Sequence, residues 1–220
     1  MGSKKKQLLV EGTADQRFFE LCLQRAQLAN QVAVGPPRDH GAKRDGKGNA
    51  ISLLPTMIEQ LNDGNCERVA IVVDADKVSS GGLGYQQTFQ QVKAAVHDHG
   101  FTNPYRVAEC GFLFKHNDGL PELGLWIMPD NLSDGLLEDF VIKLAQHKDQ
   151  DLLEEARAAV AKIKTQKFKP HHRSKAEAAT WLAWQEIPCL GLHGALSDNL
   201  IDWSKPPAKP FEDWLKAVFS

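Results

Sequence analysis

Short apolar runs alternate with stripes spaced three and four residues apart along the first half of the chain. This pattern predicts strand, helix, strand, helix, strand, helix. Residues 7–10 read as a short strand closed by Glu11-Gly12. Thr13-Ala14-Asp15-Gln16 reads as a capping box for a helix whose stripe is Phe18, Phe19, Cys22, Leu23 and Ala26. Residues 31–34 form a second strand. Ile51, Leu54, Ile58 and Leu61 line the next helix, with Ser52 as its cap and Pro55 in its first turn. Residues 69–73 are apolar without interruption, as in a strand covered on both faces of a parallel sheet. Tyr85, Phe89, Val92 and Val96 mark a third helix ending at Gly100. The order implies a parallel α/β sheet whose ligands lie beyond the carboxyl ends of its strands.

In the second half, residues 124–128 form another apolar strand, and Asp130 stands just past its end. Ser133 or Asp134 can cap the following helix, whose stripe is Leu136, Leu137, Phe140, Val141 and Leu144. Leu152, Leu153, Ala156, Val160 and Ile163 form a further amphipathic helix. Ser174-Lys175-Ala176-Glu177 reads as a capping box ahead of Trp181, Leu182 and Trp184. Phe211, Trp214, Leu215, Val218 and Phe219 make a last helix that must dock, since exposing that stripe costs several kcal/mol at about 25 cal/mol/Å². Residues 1–130 therefore read as an α/β core and 131–220 as a mainly helical extension packed on it.

Composition adds limits rather than a function. A chain of 220 residues, 42% hydrophobic and 25% charged, is a folded one. Its net charge of −2 gives no general attraction to a polyanion, so nucleic acid would have to be held by local patches. Two patches are candidates. The glycine-rich loop 35–49 carries Arg38, Lys43, Arg44 and Lys47 and has exposed N–H groups to cradle phosphate, although no Walker pattern is present; a solvated loop fits equally. The run Lys162, Lys164, Lys167, Lys169, Arg173, Lys175 contains no acid, and it fits a phosphate-gripping cluster or a solvated linker. Cys22, Cys66, Cys110 and Cys189 lie far apart without a CxxC pair, and so read as reduced core residues of a cytoplasmic protein. No apolar run is long enough for a membrane helix, and no membrane partner is expected.

The acids change the picture most. Asp74 and Asp76 stand at i and i+2 after the most apolar strand, so their side chains aim the same way. Unpaired, they repel and one pKa rises. Mg²⁺, with Mn²⁺ as a substitute, removes the conflict, because hard cations take oxygen ligands. Glu11 directly follows an apolar strand and precedes glycine, a place that packing does not explain. Asp15 lies in a first helical turn, where the helix dipole alone accounts for an acid. Asp130, Glu138 and Asp139 can complete a second metal position, and for Asp139 a helix-dipole charge is the alternative. Lys77 follows the aspartate pair in a polar stretch, within reach of a phosphate. Exposed loop aspartates and helix-dipole charges remain the plainer alternative for each acid taken alone.

Leu8-Leu9-Val10-Glu11-Gly12 and Val72-Val73-Asp74-Ala75-Asp76 together resemble the glutamate and DxD motifs of the Toprim domain, found in topoisomerases, bacterial primases and overcoming-lysogenization-defect (OLD) nucleases. Asp15, four residues after the glutamate, is similar to the second acid of the OLD-type nucleases. Leu125-Trp126-Ile127-Met128-Pro129-Asp130-Asn131, Gly135-Leu136-Leu137-Glu138-Asp139-Phe140, Thr180-Trp181-Leu182-Ala183-Trp184-Gln185-Glu186 and Trp214-Leu215 resemble a small bacterial branch of Toprim proteins. The resemblance implies a Rossmann-like Toprim core and Mg²⁺-dependent breaking or joining of phosphodiester bonds in DNA or RNA. It implies Glu11 as general acid/base or ligand and Asp74 and Asp76 as metal ligands. Some such proteins act beside an ATPase in antiviral defence, so a partner ATPase is a candidate, as is a homodimer. Glu11 and Lys175 are the candidate catalytic residues; Lys175 is the member of the basic run that a capping box would fix in place. Tyr85 and Tyr105 are the only tyrosines and neither stands out as a strand-passage nucleophile, and no zinc-ribbon cysteines suggest a primase. Two other readings remain. One is a haloacid-dehalogenase-like phosphatase with Asp74 as nucleophile, and the other is a non-catalytic module that binds nucleic acid or a partner.

Overall fold

The structure is a computed structural model and describes residues 5–188 and 190–220, so the expectation for Cys189 lies outside the described residues. Its centre is a six-stranded sheet in the order β2-β1-β3-β6-β5-β4. The strands are β1 (Lys6–Leu9), β2 (Val32–Gly35), β3 (Arg68–Asp74), β4 (Phe101–Val107), β5 (Gly111–His116) and β6 (Leu123–Met128). β2, β1, β3 and β6 run parallel, while β5 and β4 complete the sheet antiparallel. The fold is α/β and Rossmann-like, with a mixed rather than wholly parallel sheet. The hairpin of β4 and β5 escapes a reading by apolar runs because β4 carries Pro104 and polar residues. Such a strand is tolerated at a sheet edge, where it lies.

Alternation along the parallel strands sends successive side chains to two separate cores. Leu8, Ala70, Val72, Trp126 and Met128 face a core closed by α1 (Thr13–Arg25), α5 (Leu137–Ala145), α6 (Gln150–Ala161), α7 (Arg173–Ala183), α8 (Leu192–Ser197) and α9 (Ala208–Phe219). Leu9, Ile71, Val73, Leu125 and Ile127 face a second core closed by α2 (Lys47–Ser52), α3 (Leu54–Asn62) and α4 (Gly84–His97). The C-terminal helices therefore share one core with α1. α9 packs directly on the sheet: Trp214 lies against Gly111, where an added Cβ would run into its ring. Cys22, Cys66 and Cys110 are free and buried.

α1 leaves β1 over one face and α3 returns to β3 over the other, so the strand order switches sides between β1 and β3. The crevice outside strands at such a switch is where open α/β sheets bind ligands. Residues Leu9 and Ile71 are in register, so Glu11 and Asp74 emerge at one edge of the sheet.

Four expected caps are corrected. Gly12 is the N-cap of α1 without a side-chain bond, and the Thr13 hydroxyl donates to Asp45 at 3.0 Å instead. Ser52 ends α2 and donates to the Gly48 carbonyl at 2.8 Å. Ser174 lies inside the first turn of α7, where its hydroxyl donates to Asp139 at 2.7 Å, and Glu177 pairs with Arg173 and Arg157. A distant acceptor outcompetes the local backbone at Thr13 and Ser174. The N-cap of α5 is Leu136 rather than Ser133 or Asp134, because Asp134 accepts the Tyr85 N–H at 2.8 Å and Ser133 is drawn into the Asp130 turn. The expected loop 35–49 is also more ordered than its glycines suggest, with a 3₁₀ turn at Pro37–His40 and α2 starting at Lys47. Among the described residues no helix is long and apolar enough to cross a membrane.

Candidate active site

Glu11 leaves the end of β1 and reaches across to β3, where its Oε1 accepts the Asp74 N–H at 2.7 Å. Asp74 Oδ1 accepts the N–H of Leu137, the first residue of α5, at 2.9 Å. That contact brings α5 to the strand ends and carries Glu138 with it. A backbone bridge tightens the junction: Asp76 N–H donates to Gly135 at 2.9 Å, and Gly135 N–H donates back at 3.1 Å. Glu11, Asp15, Asp74 and Leu137 line a cavity of about 10 Å³, room for one water or ion.

The charges record this convergence. Burial pushes the Glu11 carboxyl up to about 7, aided by Asp76 and Asp15, while the Asp74 N–H and Lys47 oppose the rise. Burial, then Glu11, Glu138 and Asp15, hold Asp74 well above the usual carboxylate range, and Lys175 counteracts them. Burial also raises Asp15 and Glu138, and Lys175 is the principal opposing charge for both. Partial burial alone would lower the Lys175 ammonium, but Glu138, Asp74, Asp15 and Glu11 together raise it. Lys175 Nζ stands 3.8 Å from Glu138 Oε1. Four carboxyls thus converge on Lys175, with Lys47 as a further positive charge for Glu11.

The donor set suits Mg²⁺ or Mn²⁺ in its chemistry: it is all carboxylate oxygen, and Glu138 Oε2 is buried without a hydrogen-bond partner. Among the described residues no group of three His, Cys, Asp or Glu is already disposed to hold an ion. Closing on one therefore requires side-chain rotation, for which the orphaned Glu138 oxygen is the available ligand.

Of the residues expected at a site, the structure brings together Glu11, Asp15, Asp74, Glu138 and Lys175, and four others, Asp130, Asp76, Lys47 and Lys77, are engaged by other protein partners. Asp130 caps its own turn through Leu132 and Ser133 and pairs with Lys143, beside a cavity of about 470 Å³ that also includes Arg106, Cys110 and Pro210. Asp76 lies at the same sheet edge, but its carboxylate is taken by Lys47. Lys47 and Lys77 are not free phosphate ligands. Lys47 is enclosed by protein oxygens, and Lys77 donates to Asp139 at 2.8 Å and Ser174 at 2.6 Å. Arg38, Lys43, Arg44, Lys167, Lys169 and Arg173 are exposed; Arg38 has Asp45 as a partner and Arg173 has Glu177.

Two further residues organise the site: Asp45, for which the sequence suggests no role, and Asp139, a candidate second-metal ligand whose carboxylate is engaged by protein donors instead. Asp45 accepts from Thr13 and from the Arg38 N–H at 3.2 Å, and the Gly46 N–H donates to the Glu11 carbonyl at 2.7 Å, so the basic loop is stitched to the first acid. Asp139 accepts the Leu136 N–H at 2.9 Å and also gathers Lys77 and Ser174. It stands three residues after Leu136, the N-cap of α5, a spacing hidden while Ser133 or Asp134 is taken as the cap.

An α/β sheet with carboxylates gathered at a switch in strand order defines this chain structurally. Residues 5–220 match the family described as "Protein of unknown function (DUF3226)", and the chain belongs to that family. A search of curated proteins and one of solved structures each found no match.

Proposed function

We propose that this chain is a Mg²⁺-dependent phosphodiester-cleaving enzyme, a nuclease of the Toprim kind that acts on DNA or RNA. The observation that carries the reading is the junction of Glu11 with Asp74 across adjacent parallel strands, with Asp15 and Glu138 close enough to raise Asp74 further. Acids clustered so tightly repel one another, and a divalent ion relieves that repulsion as it binds.

Asp74 and Glu138 would hold the ion, with Asp15 beside them. When bound, it would neutralise the non-bridging oxygens and the leaving oxygen of the phosphodiester. Glu11, raised to about 7, exchanges its proton near neutral pH and is suited to act as general acid/base for the attacking water. Lys175, half-exposed and turned toward the carboxylates, can swing to the scissile phosphate once the ion has taken over their charge. Lys43, Arg44, Lys167, Lys169 and Arg173 offer exposed cations for the flanking backbone. A partner ATPase or a second copy of the chain would add to this surface.

The test is a Mg²⁺ and Mn²⁺ titration with single- and double-stranded DNA and RNA, comparing the wild type with Glu11→Ala and Asp74→Asn. Metal-dependent cleavage should appear in the wild type and fall at least about a hundredfold in both variants, the scale on which a proton-transfer group contributes. Binding without cleavage in all three proteins would favour a non-catalytic module.

A further inference from the structure

Lys47 sits in an oxygen cage. Its ammonium donates to the carbonyls of Asp74 at 3.0 Å and Ala75 at 3.4 Å, to the Thr88 hydroxyl at 3.4 Å and to the Asp76 carboxylate. Its side chain is only 13% exposed. Thr88 is fully buried and donates in turn to the Ala75 carbonyl at 3.3 Å. One carboxylate, two carbonyls and a hydroxyl around a compact cation make the kind of set that a hard metal ion would otherwise occupy.

Asp76 is held there by its backbone as well. It adopts a left-handed conformation with φ +63°, and both its N–H and its carbonyl are bonded to Gly135. Its Cβ lies where a Cβ on Gly82 would come within 2.4 Å, so the neighbouring loop closes behind it. With φ fixed and the carboxylate engaged, Asp76 is committed to Lys47, while Asp74 faces Glu11 and α5.

We propose that Lys47 is a built-in second cation: its ammonium takes the place of a second metal ion at the aspartate pair, and the site binds a single divalent ion, on the Asp74 side. Lys47 is then a positioning residue that neutralises Asp76 and fixes the strand end from which Asp74 projects. The inference rests on the metal-dependent reading of the site and specifies its stoichiometry.

Counting bound Mn²⁺ by electron paramagnetic resonance of the free ion tests it without reference to activity. The wild type should bind one ion per chain, Asp76→Asn should bind one with Kd within about threefold, and Asp74→Asn should bind none. Lys47→Gln should gain a second ion as Asp76 is released, a change that a merely structural lysine would not produce. Two ions on the wild type would overturn the proposal, as would loss of the ion in a folded Asp76→Asn or an unchanged count in a folded Lys47→Gln. If Lys47→Gln does not fold, the wild-type and Asp76→Asn counts decide. No bound ion on the wild type would overturn the metal-dependent reading itself, and so is distinguishable from a count of two.

Discussion

Glu11 binds its proton more tightly in the folded chain than in the unfolded one, because burial raises its pKa from about 4.5 to about 7. Across that window the native state holds the extra proton, so this group makes stability fall as pH rises and adds no penalty below it. Asp15, Asp74 and Glu138 are shifted in the same direction and deepen the trend. Urea denaturation in chelator should therefore find the wild type less stable at pH 8 than at pH 5.5. Glu11→Gln keeps an oxygen for the Asp74 N–H and should flatten the slope. An equally steep slope in the variant would place the linkage elsewhere. Glu11 and Asp74 stand out in the sequence because an acid directly after an apolar strand has no packing role. Asp45 and Thr88 do not, since their partners lie 32 and 41 residues away along the chain, at Thr13 and Lys47.

At the scale of elements, the start of α5 is the joint on which the site depends. Asp139 closes the Leu136 N–H and receives Lys77 and Ser174, so one carboxylate joins α5, α7 and the loop after β3. Asp139→Ala should cost about 1–3 kcal/mol in chemical denaturation, the range for a lost cap plus a stranded charge partner. It should also weaken metal binding, because Leu137 and Glu138 lose their fixed approach to Asp74; a neutral effect on both would show that the joint is redundant. Gly82→Ala should lower the Tm, since its Cβ would meet that of Asp76 at 2.4 Å and the contact involves no flexible chain end. The parallel strands and the helix stripes were readable from apolar spacing. The hairpin of β4 and β5 is not, because β4 carries Pro104 and polar residues that leave it without an apolar run.

For the whole molecule, the two-sided burial of the sheet sets the price of losing α9. Trp214 is fully buried, lies 5.6 Å from the Trp126 ring and 5.7 Å from the Phe211 ring, and donates to the Phe112 carbonyl at 3.1 Å. Trp214→Ala should cost about 3–5 kcal/mol by urea denaturation. A cost below about 1 kcal/mol would mean that α9 is a loose cover. This helix was foreseeable because so large an apolar stripe has to be buried, but its seat on Gly111 depends on a glycine whose use only the folded chain reveals.

Four carboxyls converge at one edge of that sheet, and Mg²⁺-induced stabilisation tests a metal-binding role for them most directly. At about a hundred times Kd, the ion should add about 2.7 kcal/mol, a Tm rise of roughly 5–10 °C for a chain of this size. The rise should be larger at pH 8 than at pH 6, where bound protons compete, and absent in Asp74→Asn. No Mg²⁺-dependent shift at either pH, or an equal shift in Asp74→Asn, would contradict it.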